Sequence, residues 1–229
     1  MNKTIGFLLI VLLCSSCSSF IYYPTGINAP LLKEKDELLI VATGGWNGLD
    51  VQSAYAITDK IGIQINLNHM KAEVTELNTS YINGQNYVEA AAGVYKPLSE
   101  LFIVEGYGGA GLGRSFSTLV SSSSTRETDY FKVYAQGNIG LRSKFLTAGI
   151  AARQALVSTQ RSRRDGIPIE EERYDPAVEL FFEPEIFLAL GVEKLKVCAR
   201  AGLSYHILNN IDNHSPFIVA LGLETRFNL

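Results

Sequence analysis

The chain has 229 residues, 47% of them hydrophobic and 19% charged, with a formal net charge of −3. That length suits one domain or two small ones, and the slight acidity supplies no basic footprint for nucleic acid. A mean hydropathy of +0.11, with no apolar run near the ~18 residues of a spanning helix, excludes a helical membrane bundle. What remains is a soluble β-rich globule or a β-barrel whose membrane signal is spread over many strands.

The chain opens with Lys3, an apolar stretch from Ile5 to Leu13, and the small pair Ser15-Ser16. A positive start, a short apolar core and small residues before a cut make an export signal, too short for a stable spanning anchor. The run Cys14-Ser15-Ser16-Cys17 resembles the lipobox of bacterial lipoproteins, with Cys14 where that family usually has Leu. The resemblance implies that residues 1–16 are a lipoprotein signal peptide and that Cys17 becomes the lipidated first residue, carrying acyl chains such as palmitate. Cleavage then removes Cys14 and acylation consumes Cys17, so of three cysteines only Cys198 stays free. No intrachain disulfide can form from one thiol.

Residues 17–36 carry Pro24 and Pro30 without a clear period and end in the charged run Lys33-Glu34-Lys35-Asp36-Glu37. This stretch is expected to be a lipidated tether. From residue 37 on, two-residue alternation dominates. Ile61, Ile63, Ile65 and Leu67 alternate with polar Gln64, Asn66 and Asn68, and Phe131, Val133, Ala135, Ile139 and Leu141 with Lys132, Gln136, Asn138 and Arg142. Phe217, Val219, Leu221, Leu223 and Phe227 alternate with Ala220, Gly222, Glu224 and Arg226. Strands are expected at about 37–46, 49–57, 61–71, 85–96, 101–117, 129–142, 145–158, 175–191, 194–207 and 215–229.

The connections between these segments alternate in length. Those at 58–60, 97–100, 143–144 and 192–193 are short, whereas 72–84, 118–128, 159–174 and 208–214 are long, apart from a tight Asn47-Gly48 hairpin. Outer-membrane barrels combine short periplasmic turns with longer external loops. Ten strands bring both ends of the barrel to the short-turn side, so the tether is expected to reach a lipid in the inner leaflet. Phe217 and Phe227 share a face; at ~3.4 Å per residue and a tilt near 40° they stand roughly 26 Å apart along the normal, close to the ~25 Å apolar band of such barrels. Pro184 interrupts the eighth strand and is expected to mark a bulge. Eight strands, with the first hairpin outside the barrel, is the fallback.

Residues 37–229 resemble a small Gram-negative outer-membrane β-barrel. The segment Phe217-Ile-Val-Ala-Leu-Gly-Leu-Glu-Thr-Arg-Phe227 is similar to the C-terminal strand that such barrels present to the insertion machinery. Here Asn228 and Leu229 follow the aromatic residue. Asn28-Ala-Pro-Leu-Leu-Lys-Glu-Lys-Asp-Glu37 looks like the lead-in of lipid-anchored barrels. The resemblance implies an all-β, closed, antiparallel, up-and-down transmembrane barrel in the cell outer membrane. It would be lipid-anchored, with external loops, and handled by the barrel-insertion machinery during biogenesis.

Candidate chemistry is sparse. Gly106-Tyr107-Gly108-Gly109-Ala110-Gly111 fits the spacing of a dinucleotide fingerprint, but that motif requires a helix to follow, and strand-like residues continue instead. His206 shares an inward face with Ser204 near the external rim, within possible reach of Asp212 and Glu179. Two side chains two apart on a strand point in parallel, which is poor geometry for a nucleophile and its base. Arg161, Arg163 and Arg164 in the 159–174 loop could bind lipopolysaccharide phosphates, or pair with Glu170, Glu171 and Glu172 across their own hairpin. The alternation directs Glu89, Glu105, Glu179, Glu183, Glu185 and Glu224 inward with Lys132, Arg142, Arg153, Lys196, Arg200 and Arg226. This luminal charge network is expected to pair and close the lumen. The sequence therefore reads as a structural or interaction barrel serving loop display or envelope integrity, not an enzyme, with no cofactor or metal indicated. Its partners would be outer-membrane lipid and lipopolysaccharide or proteins met by the loops, not nucleic acid. The alternatives are a rim hydrolase acting on envelope lipid or peptide, a small passive channel, and a soluble periplasmic lipocalin-like lipoprotein.

Overall fold

The computed structural model describes residues 22–76, 79–168, 178–207 and 214–229. Ten long strands run through them: β1 (Glu37–Gly45), β2 (Gly48–Ala56), β3 (Ile61–Glu76), β4 (Thr79–Pro97), β5 (Phe102–Leu119), β6 (Ser124–Arg142), β7 (Leu146–Arg164), β8 (Val178–Val192), β9 (Leu195–Leu203) and β10 (Phe217–Asn228). Each pairs antiparallel with the next in the chain, and β1 pairs with β10 from Glu37↔Asn228 to Gly45↔Ala220. The sheet therefore closes on itself as an up-and-down, all-β barrel of ten strands, and the first hairpin belongs to it. Closure removes the unpaired edges of an open sheet.

The strands form because polarity alternates with the pleat, but in the sense opposite to that of a soluble barrel. In β6, Tyr130, Lys132, Tyr134, Gln136 and Asn138 are buried in the lumen, while Phe131, Val133 and Ile139 face outward and are exposed. In β3, Gln64, Asn66 and Asn68 are buried, whereas Ile61, Ile63, Ile65 and Leu67 are exposed. Lipocalin-like barrels turn their apolar faces inward to fill or line the interior. Luminal glycines of β5 make room for rings from the next strand: a Cβ at Gly109 would meet Tyr134, and one at Gly113 would meet Tyr130.

Three sequence expectations are corrected. In the segments expected as loops at 72–84, 118–128 and 159–174 the described residues are largely strand, since β3 to β7 run on past the apolar belt and keep their ladders. Above that belt the outward residues turn polar, as with Lys71 and Glu73, so the contrast between faces fades while the backbone pairing continues. The 159–174 segment turns at Asp165-Gly166, where φ is 53° and 80° and Arg164 faces Ile167. Positive φ at both central residues is the signature of a tight hairpin turn. Arg163 there pairs with Asp129 of β6 at 3.4 Å and with Glu127 at 3.9 Å. Glu170, Glu171 and Glu172 lie outside the described residues. Second, Pro184 makes no bulge. The β8–β9 ladder holds one register through Gly202↔Glu185 and resumes at Tyr205↔Phe182. Only the positions opposite the missing amide drop out, and Ser204 donates its amide to the Pro216 carbonyl instead.

The third correction concerns residues 22–36. These do not form a tether beneath the barrel. Tyr22, Tyr23, Ile27, Leu31 and Leu32 are among its most buried side chains, and the segment fills the lumen. It descends from the end of the extended strands to the short-turn end, where Asp36 donates its amide to Ala56 and the chain turns into β1. Residues 1–21, including Cys17 and the whole signal, lie outside the described residues.

Candidate functional site: a lumen filled by the N-terminal segment

An irregular segment buried in a barrel interior must satisfy its backbone without a ladder. The barrel wall supplies donors at nearly every step. Eight of the nine carbonyl oxygens from Tyr23 to Leu31 accept a side-chain hydrogen bond, from Gln85, Asn47, Arg153, Gln52, Arg200, Gln64 with Gln136, Arg226 and Arg142 in turn. The lumen is a mould of amide and guanidinium groups for one extended stretch of this chain.

At the short-turn end the grip is ionic. Arg226 donates Nη2 to the Pro30 carbonyl at 2.6 Å, Nη1 to Glu37 at 2.8 Å and Nε to Glu224 at 2.9 Å. Arg142 donates to the Leu31 carbonyl at 2.6 Å and pairs with the same Glu37 oxygen at 2.6 Å. Carboxylates take the amides: Glu105 accepts from Leu32 at 2.8 Å and Glu37 from Lys33 at 2.9 Å. Partial burial, with the Arg142 guanidinium close by, lowers the Lys33 ammonium below the usual lysine range.

Midway, Asn28 is the hub. Its Nδ2 donates to Asn66 Oδ1 at 2.7 Å and to the Ser53 carbonyl at 3.0 Å, while its own carbonyl accepts from Gln64 and Gln136. Ile27 donates its amide to Glu185 at 3.0 Å and accepts from Arg200 at 2.8 Å. At the far end Tyr22 donates its hydroxyl to Glu183 at 2.9 Å, and its ring meets Tyr130 edge-on at 5.8 Å and Phe181 at 4.9 Å. Beneath it lies a wholly buried cluster. Arg153 pairs with Glu183 at 2.6 Å and with Glu89 at 3.6 Å, and Lys132 pairs with Glu89 at 2.9 Å. Tyr87 also donates to Glu89, at 2.5 Å.

The structure thus places all twelve residues of the expected charge network facing the lumen, but arranges them differently from direct cross-strand pairing. Lys196 stands opposite Glu224 in register, yet its ammonium donates to Thr147 at 2.7 Å and to the Ser143 carbonyl. Arg200 lies 3.8 Å from Glu185, Glu105 is held by Leu32 and Asn138, and Glu179 sits 4.0 Å from His206 Nε2. Sequence reasoning missed Glu37, Asn28, Gln52, Gln85 and Asn47 as grip residues. One signal was present: five large apolar residues between Tyr22 and Leu32 are unusual for a solvated linker.

The other motifs resolve structurally. The glycine-rich run lies inside β5, with strand continuing to Leu119, so no helix N-terminus exists there for a pyrophosphate. Ser204 donates its hydroxyl to Glu183 at 3.3 Å, and His206 stacks on Phe181 at 4.9 Å. Asp212 lies outside the described residues.

No family model matches the chain, and no curated protein matches it. Among solved structures it is similar to the translocator domain of the autotransporter NalP from Neisseria meningitidis, at 11% identity and a TM-score of 0.49, over 85% of this chain and 90% of that one. It is also similar to an outer membrane channel from Pseudomonas putida F1, at 10% identity and a TM-score of 0.36, over 92% of this chain and 98% of that one.

Proposed function

We propose that this chain is a lipid-anchored outer-membrane barrel, sealed by its own N-terminal segment, with a structural or interaction role and no catalytic one. The observation that carries the reading is the pairing of an apolar outside with a filled polar inside. On β6 the outward apolar run extends from Phe131 to Leu141, with Asp129 beyond its upper end and Ser143 beyond its lower end. Ten residues at ~3.4 Å and a tilt near 40° cover roughly 26 Å, the height of the apolar band of transmembrane barrels. On β5, Phe102 to Leu112 covers the same height, and Arg114 follows.

The filled lumen favours a platform over a passive channel. Residues 22–32 occupy the path a solute would take, and Gln52, Gln64, Gln85, Gln136, Arg200 and Arg226 of the wall each direct a hydrogen bond at that segment. A rim hydrolase gains no support, because the Ser204 hydroxyl is buried and directed at Glu183. The parts left to meet partners are the extended walls of β3 to β7 and the connections beyond them, where lipopolysaccharide or protein would be contacted.

Two measurements test the reading. The mature protein should incorporate a fatty-acid probe, and Cys17→Ala should abolish that label. Purified protein in planar bilayers should show no steady conductance. A stable open channel from the unmodified chain would overturn the sealed-platform reading, and label persisting in Cys17→Ala would overturn the anchor.

A further inference from the structure

The direction in which the segment crosses the barrel fixes which face its N-terminal side leaves from. Tyr22 sits at the upper edge of the apolar belt. Its ring is 5.8 Å from that of Tyr130, the luminal neighbour of Phe131 and Asp129, where the outward face of β6 changes from apolar to charged. Its backbone bridges to His214 in the connection before β10. Leu31 sits at the lower edge, bonded to Arg142, the first residue past Leu141. The ten residues from Tyr22 to Leu31 therefore span the belt in nearly extended form. Tyr22, the first described residue, is thus on the side of the extended strands and long connections.

Cys17 stands five positions before Tyr22. A fully extended chain covers ~3.4 Å per residue, so that stretch reaches at most about 17 Å. The headgroup level of the opposite leaflet, where an acylated cysteine would have to sit, lies roughly 25 Å away across the full belt, and the direct route is occupied by residues 22–31 themselves. We propose that the segment threads the lumen so that acylated Cys17 emerges at the long-connection end, its lipid entering the leaflet on that side, which is the outer leaflet. The inner-leaflet anchor expected from a tether beneath the barrel is beyond the reach of the chain. The inference rests on the anchored-barrel reading. It adds a surface-exposed N-terminus whose lipid and barrel hold the two ends of one threaded strand.

The test uses the full chain in Gram-negative cells, with single cysteines and a membrane-impermeant maleimide, since Cys17 is acylated and Cys198 is buried. Phe20→Cys should label as strongly on intact cells as after the outer membrane is permeabilised. Lys35→Cys, at the short-turn end, should label only after permeabilisation. Protection of Phe20→Cys on intact cells, or labelling of both positions on intact cells, would overturn the proposal. Heat-dependent mobility of each variant on gels checks that the barrel has folded. Loss of the fatty-acid label with a folded barrel would sink the anchor alone. The thread's direction is then read in purified protein, where a long bismaleimide should join Phe20→Cys to Ser122→Cys and not to Asp59→Cys; the reverse pairing would overturn the threading itself.

Discussion

The two ends of the filled lumen are held by different physics. Near Tyr22 the charges belong to the wall and neutralise one another: Lys132, Glu89, Arg153 and Glu183 come from β6, β4, β7 and β8, and the segment adds a tyrosine hydroxyl and one carbonyl. Near Leu31 the charges are completed by the segment, because Arg142, Arg226 and Glu105 spend hydrogen bonds on its backbone. The upper cluster therefore stabilises the barrel with or without its occupant, whereas the lower one stabilises the occupied barrel. Changes in the first region should act on folding, and changes in the second on how firmly the segment is seated.

The strongest way to break this distinction is at Arg153. Its side chain is fully buried between two carboxylates and the Thr25 carbonyl. Arg153→Met leaves Glu183 buried without its partner, a change that costs about 3–5 kcal/mol. Urea unfolding in detergent, followed by the loss of heat-dependent mobility, should show a large drop in midpoint. A midpoint near that of the unmodified protein would mean the upper cluster is not the barrel's own support.

Arg142→Ala probes the other end. It removes one of the two arginines on Glu37 and the donor to Leu31, while Arg226 keeps Glu37 paired. Charge-assisted hydrogen bonds contribute about 1.5–3 kcal/mol each. The expected outcome is faster amide exchange confined to residues 31–36, with the amides of Tyr23 and Ile27 still protected. Exchange rising along the whole segment would show that the two ends are one cooperative unit. Gly113→Ala tests the seat of the tyrosines: the new methyl would overlap the Tyr130 ring, and overpacking costs typically about 1–3 kcal/mol. Unfolding midpoints should fall, with weaker protection at Tyr22 and Tyr23 and no change at Leu32.

The barrel was legible because alternation is a local property. Lys132 between Phe131 and Val133, or Asn66 between Ile65 and Leu67, declares its face without knowledge of any partner. Strand ends above the belt were not legible, because Lys71, Glu73 and Thr75 carry no contrast once both faces are polar. The identity of the inward residues was readable, but their partners were not. Glu105 and Leu32, or Asn28 and Gln136, are joined only by the closure of the barrel around a segment that looks like a linker in one dimension. Proline and charge at residues 30–37 suggested a solvated tether. The buried apolar side chains of Tyr22, Ile27 and Leu32 weigh against that once a lumen exists to receive them.

The smallest effect should come from a pair that looks strong by distance alone. Arg114 Nε lies 2.6 Å from Asp129 Oδ1, closer than the 2.9 Å between Lys132 and Glu89, only three positions away on β6. The first pair faces outward, with Arg114 47% and Asp129 27% exposed, while the second is wholly buried. Water and salt screen exposed charges, and such pairs contribute about 0–1 kcal/mol. Asp129 also keeps Arg163 at 3.4 Å when Arg114 is lost. Arg114→Ala should therefore leave the unfolding midpoint within error, and what change it makes should vanish in high salt. Lys132→Met, on the same strand, should lower the midpoint severely at any ionic strength, since Glu89 then loses its nearer cation in a lumen that salt does not enter. Equal effects from the two substitutions would mean that the outer face of β6 at Asp129 is as dry as the lumen, and the upper boundary of the apolar belt would have to be moved past it.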